Sequence, residues 1–159
     1  MIKTQQPTAL RASILSPVVT AAFGFVVYAL SIISGGVFDV NADSRVEPAH
    51  SHTFWESATG MAPEFAIGLV GAAIAVWAGR RAWTAQPPHL TRSALVLAVV
   101  AAVTVPAFWA GWSNIFGAVA AGLALESRRR VGSLGAQAST ALVLGSAAFV
   151  VGAIISLLG

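Results

Sequence analysis

Residues 93–130 read SALVLAVVAAVTVPAFWAGWSNIFGAVAAGLALESRRR, and the number of times this stretch crosses a membrane decides the fold. Ser93 to Leu125 is too long for one ordinary span, which needs about 20 apolar residues, and slightly short for two. In its middle, Ala110-Gly111-Trp112-Ser113-Asn114 has turn chemistry, and Trp109 and Trp112 suit a headgroup boundary. A hairpin here returns the chain so that Arg128, Arg129 and Arg130 join the other arginines on one side. Without it, three arginines stand on the opposite side, against the positive-inside rule. The second arm, about 113–126, would then rise only about 21 Å, so bilayer thinning or longer neighbours must absorb the difference.

The remaining charges follow the same pattern. Lys3 and Arg11 precede the first apolar stretch, and Arg80, Arg81 and Arg92 bracket the break after the second. Arg45 alone is out of line, among Asp39, Asp43, Glu47 and Glu56. The expected fold is all-α, a polytopic transmembrane helix bundle forming a single integral membrane domain over 1–159. Five spans are expected at about 14–37, 62–79, 93–110, 113–126 and 140–158, with an external loop over 38–61 and a cytoplasmic N-terminus. Four spans is the alternative.

Composition agrees with lipid as the solvent. The 159 residues are 57% hydrophobic and 9% charged, against about 25% charged in a soluble domain. Mean hydropathy is +0.79. The net charge of +3 raises the question of nucleic acid, but each basic group sits beside an apolar stretch and no basic face is left for phosphates. There is no cysteine, which excludes disulfides, thiolate metal sites and cysteine nucleophiles. The run from Ile14 to Phe38 exceeds the about 7–15 residues of a signal-peptide core and reads as an uncleaved first span. Abundant Ala, Val and Gly with a single Lys point to a GC-rich bacterial genome and a bacterial cell membrane.

Small residues recur at intervals of four. Gly71, Ala75 and Gly79 do so on the second span; Ala94, Ala98, Ala102, Pro106 and Ala110 on the third; Ala118 and Gly122 on the fourth; Ala148, Gly152 and Ser156 on the fifth. Such stripes let helix backbones approach closely, the main attraction available in lipid. They predict a compact bundle with little internal cavity. The pattern over 93–158 combines an apolar hairpin, the segment Phe116-Gly117-Ala118-Val119-Ala120-Ala121-Gly122 running on to the basic stop Arg128-Arg129-Arg130, glycines at 132 and 135, and Ala141-Leu142-Val143-Leu144-Gly145. It resembles a family of small actinobacterial multi-pass membrane proteins known only as a domain of unknown function. Leu125-Glu126 replaces that family's usual glycine before the basic stop. The resemblance implies topology and no chemistry.

Candidate chemical groups are few. A charge at the bilayer centre costs about 2.5 kcal/mol or more, and no expected span carries one in its middle; Glu64 and Glu126 fall at span ends. Thr20, Ser31, Thr104 and Ser146 can bond the preceding turn of their own helices. His50, His52 and Glu56 have spacing that could ligate zinc or copper. Thr53-Phe54-Trp55-Glu56 also fits a capping box with Phe54 and Trp55 at the headgroups, and this reading takes precedence; a pH-sensing histidine pair is a third. Pro63 and Glu64 have helix-start chemistry, and Glu64 could instead pair with Arg45. Gln86-Pro87-Pro88-His89 reads as a breaker in an internal loop, with His89 solvated. Trp55, Phe54, Arg45 and Glu64 are the candidate partner-binding residues.

No nucleophile elbow, phosphate loop, dinucleotide fingerprint or zinc-protease helix occurs, so neither enzyme nor cofactor is expected. The expected function is a non-catalytic structural or accessory subunit, surrounded by membrane lipid and binding another membrane protein or itself. A transporter or channel subunit for a small solute, or an external metal or pH sensor, is the alternative. A cytoplasm-active reporter fused after Gly159 should be inactive if there are five spans. Activity equal to a cytoplasmic control would select four.

Overall fold

A computed structural model describes residues 14–38 and 62–158. Among these residues every regular element is helical. Helix α1 spans Pro17–Phe38, α2 Ala62–Trp83, α3 Pro87–Val103, α4 Trp112–Val131 and α5 Ala136–Leu158; a 3-10 turn over Val105–Ala110 separates α3 from α4. Pro17–Ser34, Ala62–Trp83 and Ala136–Leu158 are long and apolar enough to cross a membrane, and Pro87–Val103 is a shorter apolar helix. This is the make-up of a membrane protein.

Two local expectations change. Gln86-Pro87-Pro88-His89 does not break the chain into a loop: Gln86 is the N-cap of α3, and its carbonyl accepts the amides of His89 and Leu90. Both prolines occupy the first turn, where a missing N–H costs nothing. The turn expected over residues 110–114 contracts to Gly111, with φ +69°, and Trp112 already begins α4. The chain leaves α3 earlier, because Pro106 cannot donate to the carbonyl of Ala102 and disfavours helix at Val105. Helix α4 then runs for 20 residues, about 30 Å, because Glu126 to Val131 continue the helix instead of ending it. The helix therefore outlasts the apolar arm, which still ends near Leu125. Gly132, with φ +82°, closes it by donating its amide to the Arg128 carbonyl at 2.8 Å.

Helix α4 packs against α1, α2, α3 and α5. Twelve of its 20 residues are buried, including Ile115, Phe116, Val119 and Leu123. Many large apolar side chains of the other helices point outward: Phe23 and Leu30 on α1, Val70 and Trp77 on α2, Val96 and Val103 on α3, Val143 and Ile154 on α5. Their inward faces carry small residues, such as Ala75, Ala94, Ala98, Ala141 and Ala148. Water would favour the reverse arrangement. In lipid, large apolar side chains lose nothing by facing out, and close backbone packing supplies the attraction.

Glycines set the closest approaches. A Cβ at Gly117 would lie 2.5 Å from the Gly145 carbonyl oxygen, so α4 and α5 touch backbone to backbone. A Cβ at Gly24 would lie 2.7 Å from the Asn114 carbonyl oxygen and 2.8 Å from Ile115 Cα, which brings α1 equally close. Gly71 receives the Trp112 indole, and Gly79 receives Pro17. The stripes on α2 and α5 form the buried faces of those helices; on α3, Ala94 and Ala98 are buried and Ala101 takes over one turn later.

These contacts also arrange the ends. Pro17 meets Gly79, and Arg130 reaches the carbonyls of Trp83 and Ala85. The start of α1, the end of α2, the start of α3, the end of α4 and the start of α5 therefore lie together. Arg80, Arg81, Arg92, Arg128, Arg129 and Arg130 all stand at this end.

Gly117→Ala should destabilise the bundle by about 1–3 kcal/mol, because the neighbouring atom is backbone and cannot step aside. Gly135→Ala, with nothing within 4 Å of its added Cβ, should stay within about 0.5 kcal/mol of the parent. Thermal unfolding in one detergent compares the two; equal losses would contradict the close approach.

Candidate functional site

The basic end is built on Glu126. Its carboxylate is fully buried and accepts Arg129 Nε and Nη2 and Arg130 Nε, each at 2.7 Å. Spacings of three and four residues place both arginines over the acid on one helix face. Arg130 continues outward: Nη2 donates to the Trp83 carbonyl at 2.7 Å, and Nη1 to the Ala85 carbonyl at 3.2 Å. Its guanidinium carbon lies 5.5 Å from the centre of the Trp83 ring. One arginine thus satisfies carbonyls left open at the end of α2 and places positive charge at the negative end of that helix dipole. Beside it, the Thr91 and Ser127 hydroxyls share a hydrogen bond of 2.8 Å that ties α3 to α4. Arg81 stacks over Trp77 at 5.0 Å.

The middle of the bundle holds a second polar tie. Ser113 and Asn114 are fully buried in the first turn of α4. Asn114 Nδ2 donates to the Phe149 carbonyl at 2.9 Å, fastening α4 to α5. Gly152 leaves the space for them: a Cβ there would sit 2.3 Å from Ser113 Oγ. Thr20, Ser31 and Thr104 donate to carbonyls of their own preceding turns.

The opposite end is aromatic. The Tyr28 hydroxyl donates to the Trp109 carbonyl, and Tyr28 packs edge-on against Phe25 and Phe65, each at 6.2 Å between ring centres. A side chain at Gly111 would strike the Tyr28 ring, so that position requires glycine for space as well as for its positive φ. Trp112, expected at the headgroups, instead lies over Gly71 and donates Nε1 to the Ile67 carbonyl at 3.1 Å. Trp109 is exposed. Glu64 occupies the first turn of α2, and its Oε2 is buried with no hydrogen-bond partner among the described residues.

Arg45, His50, His52, Phe54, Trp55 and Glu56 lie outside the described residues, and with them the metal, capping and partner readings. Among the described residues no group of three or more His, Asp or Glu could hold a metal. His89 is exposed and lies with Arg92 along a groove at the basic end. Of the candidate residues only Glu64 is placed, at the end away from the arginines. Sequence reasoning treated Glu126 as a span-end charge and missed its clamp; the acid-arginine spacing was the available signal. Asn114 was assigned to a turn, and no local signal marked it as interior.

Glu126→Gln should lower stability by about 1–3 kcal/mol, since an amide cannot accept three charged donors and leaves buried polar atoms poorly matched. Arg128→Gln, one residue from the clamp but outside it, should stay within about 0.5 kcal/mol. Thermal unfolding in detergent reads both; an unaffected Glu126→Gln protein would mean that the clamp holds nothing.

Comparison of the chain with protein-family models, with curated proteins and with solved structures found no match. The functional reading therefore rests on the geometry.

Proposed function

We propose that this chain is a multi-pass protein of the bacterial cell membrane with five spans, its N-terminus and its arginine end in the cytoplasm and its C-terminus outside. It acts without catalysis, as a structural or accessory subunit that binds another membrane protein or a second copy of itself. The observation that carries this reading is the way the interior is filled. Helix α4 occupies the centre, backbone contacts at Gly24, Gly117 and Gly145 close the gaps around it, and Asn114 is committed to the Phe149 carbonyl. A solute path through a single copy would need polar groups turned toward an open channel. An apolar groove of about 390 Å³ lies instead on the flank between α1, α4 and α5.

The sidedness follows from charge. Six arginines at one end of the bundle belong on the cytoplasmic side under the positive-inside rule. Helix α3 is 17 residues long, about 26 Å, and crosses within a bundle of longer helices that shield its ends. Helix α4 is long enough to cross and carries its charges only in its last two turns.

Purification in mild detergent, followed by mass spectrometry of intact complexes, tests the role. A co-purifying membrane protein or a defined homo-oligomer is the expected result. A strictly monomeric species with no companion, together with solute flux in liposomes, would replace this reading with a transporter.

A further inference from the structure

The flank groove has the dimensions and the charge placement of a phospholipid site. It is an open groove of about 390 Å³, within the about 300–1,000 Å³ of small-ligand clefts. Its floor is α4, where Gly117, Ala118, Ala121 and Gly122 keep the surface low. Phe23 of α1 and Phe149 of α5 stack across it at the level of Gly117, with ring centres 5.7 Å apart and an interplanar angle of 13°. The only polar group that α1 brings to the groove is the Thr20 hydroxyl, which donates to its own preceding turn at Ser16 and Pro17. The Thr20 methyl faces α4 instead, 2.8 Å from where a Cβ on Gly122 would stand.

The other end of the groove opens toward the arginines. Leu125 is the last α4 residue lining it, and Arg128 follows one turn later. Ala121 and Arg128 are seven residues apart, which returns them to the same face of the helix. Arg129 and Arg130 are engaged by Glu126, whereas Arg128 is exposed and has no ion pair among the described residues. From Gly117 to Arg128 is eleven residues, about 16 Å of helix, close to half of a hydrocarbon core about 30 Å thick. In the membrane-spanning reading the groove therefore covers about one leaflet and stops one turn short of Arg128, a cation with no ion pair among the described residues.

We infer that this groove binds an anionic phospholipid of the inner leaflet, one acyl chain lying on Gly117–Leu125 and the phosphate meeting Arg128. A free phosphate would engage only the arginine and leave the groove empty; a neutral lipid would fill the groove without the charge. The inference rests on the membrane-spanning reading with the arginine end inside, and is independent of the accessory role.

The test uses the full chain in detergent with phosphatidylglycerol or phosphatidylcholine of matched acyl chains, and intact-complex mass spectrometry reads occupancy. The parent should retain phosphatidylglycerol about fivefold more than phosphatidylcholine, the scale expected for one arginine at an anionic surface. Arg128→Gln should bring the two to parity without lowering phosphatidylcholine occupancy. Ala121→Phe, filling the groove, should lose both lipids. Equal retention by the parent would overturn the site, as would an undiminished preference in Arg128→Gln. Arg128→Gln alters an exposed side chain, so it decides the matter even where Ala121→Phe fails to fold. Release of the chain from membranes by alkaline wash without detergent would instead overturn the membrane-spanning reading itself.

Discussion

Backbone contact between α4 and its neighbours is the constraint on which the rest of the structure depends. Where Gly117 meets Gly145, and where Gly24 meets the backbone of Asn114 and Ile115, no side chain fits between the helices. In lipid the outward faces gain nothing from being buried, so cohesion comes from many weak contacts at short range and from the few hydrogen bonds that cross between helices. Close approach multiplies the first kind and makes the second possible. The Asn114 amide reaches the Phe149 carbonyl only because Gly152, one turn further along α5, carries no side chain. The helices around α4 accordingly turn mostly Ala and Gly inward against its Ile115, Phe116, Val119 and Leu123, and turn many of their Val, Phe and Trp side chains outward.

Polar chemistry is concentrated where this packing ends. Glu126 is buried at the last turns of α4, where an isolated carboxylate would be costly, and three charged donors from Arg129 and Arg130 compensate it. The same Arg130 holds the carbonyls of Trp83 and Ala85, so the clamp fixes the short α2–α3 connection against the end of α4. The arginines that the positive-inside rule assigns to one side of the membrane also assemble the bundle at that side. Of the three consecutive arginines at the end of α4, Arg128 alone is outside the clamp, one turn beyond the last α4 residue of the flank groove.

The element types, and which stretches are helices, were readable from the chain. Apolar runs of membrane-spanning length, arginines after each second run and small residues at intervals of four all point to an α-helical bundle. Element ends were less legible. Pro87-Pro88 carries the same local signal whether it breaks a helix or begins one, and only the Gln86 carbonyl bonds distinguish the two. Glu126 to Arg130 looked like a charged stop because hydropathy falls there, yet acid and arginines at three- and four-residue spacing stabilise a helix as readily as they end an apolar run.

By itself the sequence determined the solvent of this protein, its helical class and, among the described residues, the gathering of six arginines at one end, because composition and charge spacing act locally and need no partner. Tertiary structure alone decided that α4 is the central helix, that Asn114 is an interior tie, that Glu126 is a clamp and that a groove runs along α4 from Gly117 to Leu125. Each of these depends on which faces of distant segments meet. In a chain so rich in Ala and Gly, many faces are equally small, and only the assembled bundle shows which of them are in contact.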